Sequence, residues 1–249
     1  MTVLAKFFSK LYINNTFKVF YLFSAILFVS CGANNSYIDI TGPAMGTSYT
    51  IRLVPKRGSN PNSDLIKSKI DSTLESINDQ MSTYVINSDI SLFNKLGENA
   101  AIVISSDFKK VIMRSIYWSE KSNGAFDITS LPLTNIWREG KKDREYKEKW
   151  EPPSDLDIAI AKDKVGFKKI KLSQNSLIKA KKGQQIDVNA IAKGWGVDHL
   201  FSLVSSFGYS NYMVEIGGEV KVSGKNIQKK PWKIGVDYPL PNTNPGEKI

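Results

Sequence analysis

The chain has 249 residues, 34 basic against 24 acidic side chains and a formal net charge of +10. That is the composition of a folded protein long enough to bury a real core, with no internal repeat and no low-complexity tract. One histidine, His199, and one cysteine, Cys31, exclude zinc-type His/Cys clusters and any intramolecular disulfide. The basic excess is spread over many lysines, which suits an anionic ligand or a membrane surface as well as nucleic acid, and no nucleic-acid motif accompanies it.

Lys6, Lys10 and Lys18 precede an apolar run from Val19 to Val29 and then Ser30-Cys31-Gly32. The run is short for a bilayer span and right for a signal-peptide core. A small residue before the lone cysteine resembles the bacterial lipoprotein signal, which makes residues 1–30 a signal peptide, Cys31 the lipidation site and residues 31–36 a tether. An uncleaved membrane anchor with a buried cysteine is the other reading. Both place the rest of the chain outside the cytoplasm, anchored to a bacterial membrane.

A strand is expected over Tyr37 to Ile40, a turn at Gly42, Pro43 and Gly46 with Met45 at its apex, and a second strand whose inward face is Tyr49, Ile51 and Leu53. Leu65, Ile66, Ile70, Leu74, Ile77 and Met81 then recur on one helical face. Ser88-Asp89 can cap a short helical turn carrying Ile90, Leu92 and Phe93. Tyr84, between the two helices, is either a core tyrosine or a ring at a pocket edge. A strand at Ala101 to Ile104 leads to a helix capped near Ser105 or Ser106, closed by the turn SNG. Past that turn come Ala125, Phe126 and Asp127; beside Thr129, Asp127 is a functional acid or a turn-stabilising one. Arg138 to Trp150 reads as a solvated charged insertion, followed by short strands through Val165 to Leu172 and Leu177 to Lys179.

The stretch from Ile186 to Asp198, IDVNAIAKGWGVD, dominates the reading. Ile186 and Val188 alternate like a buried strand end. Asn189 has the side chain that opens a helix from about Ala190, with Ile191, Trp195, Leu200, Leu203 and Val204 as its buried stripe and Gly208 at its end. Gly194 and Gly196 are anomalous there, because each glycine inside a helix costs about 1 kcal/mol relative to alanine. Something must approach the backbone closely. Asp187 and Asn189 at a helix start with Lys193 one turn in suit a phosphate and its metal ion; ordinary helix packing with an exposed lysine is the alternative. Beyond it, Tyr212 to Ile216 and Val220 to Gly224 form a hairpin around Gly217-Gly218, and Trp232, Ile234 and Val236 read as a further strand. Strands and helices without a regular strand-helix repeat argue for an α+β fold with mixed or antiparallel sheet and packed helices.

His199, one turn after Trp195, reads as structural. No GxxxxGK[ST] loop exists, and His199 stands where a dinucleotide fingerprint needs its third glycine. What remains is a phosphate site with a hard cation held by carboxylate and backbone oxygens, which suits magnesium.

Six ordered segments, GPAMGT, MSTY with SDISLFN, GAFDIT, DVNAIAKGWGVD, EIGGEV and PWKIGVDYP, resemble the bacterial FAD:protein FMN transferases, the ApbE or flavin transferase family. The resemblance covers residues 37–249 as one domain. It implies a magnesium-dependent enzyme that cleaves the pyrophosphate of FAD, releases AMP and attaches FMN by a phosphoester to a threonine of an exported partner, such as a redox-complex subunit. It also implies that Met45, Tyr84, Ala125, Phe126 and Asp127 contact the flavin nucleotide, that Asp187 and Lys193 lie at its ribose and phosphates, and that the backbone carbonyl of Ala190 is a magnesium ligand. It identifies no general base.

The family pattern continues past Val236 to a histidine, a DP.TG turn, and an aspartate and threonine that complete the metal site. None of these is in this sequence, so a C-terminally incomplete member with weakened magnesium binding is expected. An FAD pyrophosphatase giving FMN and AMP and a non-catalytic flavin-binding surface lipoprotein are the competing functions.

Overall fold

The computed structural model describes residues 36–56, 62–142 and 152–236, with side chains of 139–142 outside it. In order the chain forms β1 (Ile38–Ala44), β2 (Thr47–Leu53), α1 (Ser63–Met81), α2 (Asp89–Lys95), β3 (Ala101–Val103), α3 (Ser106–Lys121), α4 (Leu131–Lys142), α5 (Asp155–Asp163), β4 (Ile170–Ser173), β5 (Ser176–Lys179), α6 (Asn189–Ser206), β6 (Tyr212–Ile216) and β7 (Glu219–Ser223). The fold is α+β, and every strand pairing described is antiparallel.

One sheet has the order β1-β2-β6-β7 and the other β3-β5-β4. The period-two alternation of the sequence fixes the inner face of the first. Tyr49 pairs with Ile216, Ile51 with Val214 and Leu53 with Tyr212, and all six are buried. Against this face pack Ile66, Ile70 and Leu74 of α1 and Val197, Leu200 and Val204 of α6. A second apolar cluster joins Ile77 and Met81 of α1 to Ile90 and Phe93 of α2, Phe108, Val111 and Ile112 of α3, Leu177 of β5, and Ile186, Val188 and Ala192 around the start of α6. Helices α1 and α6 therefore run through both clusters and tie the two sheets together. Each large aliphatic side chain so buried contributes about 1.5–3 kcal/mol.

Local start signals act where the sequence places them. Asn62, Ser88 and Ser105 accept from the backbone N–H of Leu65, Ser91 and Phe108 at the N-termini of α1, α2 and α3.

Several expectations are corrected. β1 runs on through Gly42 and Pro43, and the reversal is a two-residue turn at Met45-Gly46, both with positive φ. Pro43 is tolerated because β1 is an edge strand. Leu65 is exposed, one position off the buried face of α1. Residues 165–169 are not strand, since a 3-10 turn at Phe167–Lys169 precedes β4.

Helix α4 occupies a stretch read as partly a charged insertion. Its second residue is Pro132, a first-turn position where the missing N–H is harmless. Helix α5 has no helical apolar period in the sequence to announce it, since only Ala161 is buried on it; Ser154 caps it by accepting from Asp157 N–H. The remainder of the charged stretch, 143–150, and Cys31 with the whole signal and tether to residue 35 lie outside the described residues. Trp232 to Val236 form no strand: Ile234 and Val236 are exposed, while the Trp232 ring stacks on Tyr37 at 5.8 Å and its Nε1 donates to the Ser223 carbonyl.

Candidate functional site

The first two turns of α6 are held from three sides. Residues 184–188 before the helix belong to no strand. Their groups are satisfied elsewhere: Asp187 N–H donates to the Ile128 carbonyl (2.8 Å), and the Asn94 side chain takes both backbone groups of Ile186, accepting from its N–H (2.8 Å) and donating to its carbonyl (2.9 Å). Asn189 does not cap the helix. It is the first helical residue, the cap position is Val188, and Asp187 supplies the missing acceptor by taking the N–H of Asn189 at 2.7 Å. On the third side the β1–β2 and β6–β7 turns lie together, joined by a bond from Gly217 N–H to the Ser48 carbonyl.

Met45 projects from the first of these turns. Its φ of +50° is a conformation that costs an L residue about 1–2 kcal/mol, and the side chain packs against both apolar clusters. The two glycines of α6 now separate. A Cβ at Gly196 would come within 3.3 Å of Met45 Sδ and 3.2 Å of Ile216 Cδ1, so packing explains that glycine. Among the described residues a Cβ at Gly194 would meet nothing within 4 Å, so their packing does not explain this one.

The buried stripe of α6 differs from the expected one for the same reason. Ala192, Gly196, Val197, Leu200 and Val204 are buried, whereas Ile191, Trp195 and Leu203 are half-buried, because the helix passes from one cluster to the other.

Lys193 extends over the β6–β7 turn, with Nζ 3.0 Å from Glu219 and 3.5 Å from the Gly217 carbonyl. Asp187, Ala190 and Lys193 thus follow one another along the lead-in and first turn. Phe126 joins the cluster that contains Ile186, Val188 and Ala192. Ala125 is exposed on the loop after α3.

Asp127 is committed internally. One carboxylate oxygen accepts from the backbone N–H (2.8 Å) and hydroxyl (2.6 Å) of Thr129, and the other from Phe167 N–H (3.0 Å). Of the two readings of this acid, the geometry favours the turn-stabilising one. Tyr84 stands apart from Lys193, 78% exposed, on the rim of a separate cavity of about 560 Å³ that Asn94, Asn135, Arg138 and Gln185 also line. This cavity reaches the α6 lead-in through Asn94 and through Gln185, which accepts from the Asn135 amide.

On the other flank lies a cleft of about 690 Å³ whose walls are Ala190, Ile191, Gly194 and Trp195 of α6, Lys110, Arg114 and Trp118 of α3, and Glu219 and Lys221 of β7. Both volumes fall in the range of small-molecule sites. The carboxylates at this cleft are already neutralised: Glu219 by Lys193, and Asp198 by Lys221 at 2.6 Å. Arg114 forms no ion pair among the described residues and stacks on Tyr117 and Trp118. The balance of charge therefore suits an anionic ligand. His199 packs on Trp195 with Nε2 3.9 Å from Asp107, a structural position.

No group of three or more His, Cys, Asp or Glu converges among the described residues. Ala190 is exposed in this cleft, and the residue four positions on, whose N–H its carbonyl serves in a helix, is the side-chain-free Gly194. A carbonyl oxygen with its second lone pair open is a hard donor, which fits one position of a magnesium ion that keeps water and substrate phosphate.

Sequence reading missed Asn94, Gln185 and Lys179. Asn94 ends the SDISLFN segment as a polar residue next to the buried Phe93, which was the available signal. Lys179 is 1% exposed, with Nζ donating to the Asn94 carbonyl at 2.9 Å and lying over the Phe93 ring; burial pulls its pKa below the ordinary 10.5.

The chain is similar to known proteins over most of its length. Residues 45–248 match the ApbE family. The FAD:protein FMN transferase of Haemophilus influenzae is 34% identical over 229 residues, covering 90% of this chain and 64% of the relative; that of Vibrio cholerae is 34% identical over 218 residues, covering 88% and 64%. The solved flavin transferase ApbE from Vibrio cholerae superposes with a TM-score of 0.75 at 33% identity over 82% of this chain and 64% of that one, and the apo flavinyl transferase ApbE of Pseudomonas stutzeri with 0.72 at 30% identity over 81% and 63%. The chain thus spans a little under two thirds of the length of these relatives. Agreement in sequence along the matched span and in the backbone that carries it leads to one conclusion: the chain belongs to the ApbE family.

Proposed function

We propose that this chain acts in an FAD:protein FMN transferase, transferring FMN from FAD to a threonine of an exported partner protein. The observation that carries the reading is the first turn of α6, where Ala190 and Gly194 open on a cleft of cationic balance and Lys193 stands one turn in. The names of the relatives support the same chemistry. In this reading Met45 and Phe126 bound the flavin nucleotide next to the α6 lead-in and Tyr84 offers a ring at the neighbouring cavity. Ala125 lies on the exposed loop beside them. Asp127 acts through the loop it braces, holding Phe126 in place. Asp187 holds the helix start, and Lys193 offsets charge on the phosphates.

The threonine oxygen attacks the FMN-side phosphorus, the bond to the AMP phosphate oxygen breaks, AMP leaves and the hydroxyl proton is released. Magnesium, held in part by the Ala190 carbonyl, supplies charge neutralisation on the pyrophosphate when bound. Lipidation at Cys31 anchors the protein to the outer side of a bacterial membrane and brings it to exported partners.

The test is incubation of the chain with FAD, magnesium and an acceptor polypeptide, following AMP release and covalent flavin fluorescence. Both signals, lost with chelator and restored by magnesium, are expected. AMP without labelled acceptor would make the protein a pyrophosphatase, and flavin binding without AMP a binding protein. Cys31→Ala, followed by labelled fatty-acid incorporation and membrane fractionation, tests the anchor.

A further inference from the structure

Two glycines two residues apart in one helix have different explanations here, and the second one has a functional consequence. Gly196 is filled against by Met45 and Ile216, whereas the space beyond Gly194 is open and belongs to the cleft walled by Arg114, Trp118 and Lys221. A helical side chain lies back over the turn N-terminal to its own Cα. Any side chain at 194 would therefore lie over Ala190 and its carbonyl. Helix propensity disfavours glycine at such a position, and no contact among the described residues requires it.

We infer that Gly194 is a specificity-determining residue that keeps the Ala190 turn bare so that the diphosphate part of the substrate, with its divalent cation, can lie against the helix backbone. The inference rests on the proposed flavin-transferase reading for the identity of the substrate, but its chemistry requires only a diphosphate. The cleft has the matching balance: its carboxylates Glu219 and Asp198 are each paired to a lysine, and Arg114 is left without one among the described residues. The arrangement predicts a split that neither a packing role nor a helix-breaking role produces. Filling position 194 strengthens the protein and weakens the ligand.

The experiment compares the wild-type chain with Gly194→Ala, Gly194→Leu and Gly196→Ala. Each is measured by thermal melting without ligand and by titration with FAD and, separately, with inorganic pyrophosphate, both in excess magnesium. Gly194→Ala is expected to raise Tm by about 2–4 °C and to weaken both ligands about tenfold, the loss of roughly one charge-assisted contact. Gly194→Leu is expected to keep the raised Tm and to abolish binding. Gly196→Ala is expected to lower Tm.

Wild-type binding of pyrophosphate but not FAD, with the Gly194 split intact, would sink the flavin reading and leave this inference standing. Two outcomes overturn the inference: Gly194→Leu binding both ligands within about twofold of wild type, or a wild-type chain that binds neither.

Discussion

Replacing Asn94 by alanine removes the side chain that, among the described residues, holds the backbone of Ile186. Two hydrogen bonds of 2.8 and 2.9 Å are lost, and their partners are the N–H and carbonyl of a fully buried residue. A made bond contributes about 1 kcal/mol net, and a buried group left without a partner costs about 1–3 kcal/mol. Asn94 itself is only partly buried, so water can reach part of the gap, which sets the expected loss at about 2–4 kcal/mol. For a chain of this size that lowers Tm by roughly 4–16 °C. The bond from Lys179 goes to the Asn94 backbone carbonyl and survives the substitution, so the effect reports on the amide alone. Urea denaturation gives the stability, and hydrogen exchange at Ile186 and Asp187 gives the location. Faster exchange is expected at these amides while Ile51 and Val214 in the sheet stay protected below the global limit. A loss under about 0.5 kcal/mol with unchanged protection at Ile186 would refute the view that Asn94 positions the lead-in to α6.

The other predictions are shorter. Lys179→Met removes a buried ammonium whose pKa lies below 10.5. Between that lowered value and 10.5 the unfolded chain holds the extra proton, so wild-type stability rises relative to the methionine variant as pH climbs through this window; a gap between the two that does not change with pH would contradict the assignment. Asp127→Asn places an amide among three hydrogens that the carboxylate accepted, and denaturation should show a loss of about 1–3 kcal/mol even without ligand; unchanged stability would return Asp127 to the role of a free contact residue. Lys193→Met breaks a partly exposed ion pair with Glu219, so melting should move by less than about 1 kcal/mol while FAD affinity in a fluorescence titration falls clearly.

The α+β class, the inward face of β2, the caps of α2 and α3 and the β6–β7 hairpin were legible in the sequence, because each is set by residues adjacent along the chain: a period of two, a serine before a helical turn, a glycine pair between apolar runs. The stretch around α6 also stood out in the sequence, from two glycines that local propensity disfavours. Tertiary structure told the two glycines apart, since the sulfur that closes on Gly196 comes from Met45, far away in the chain. It likewise gave Asp127 to Phe167, Ile186 to Asn94 and the Trp232 ring to Tyr37, and made a coil of the segment whose alternation resembled a strand. An alternating pattern states which side chains seek burial, but a backbone becomes a strand only where a neighbouring edge meets its N–H and carbonyl groups. Which groups lie there is a property of the packed whole.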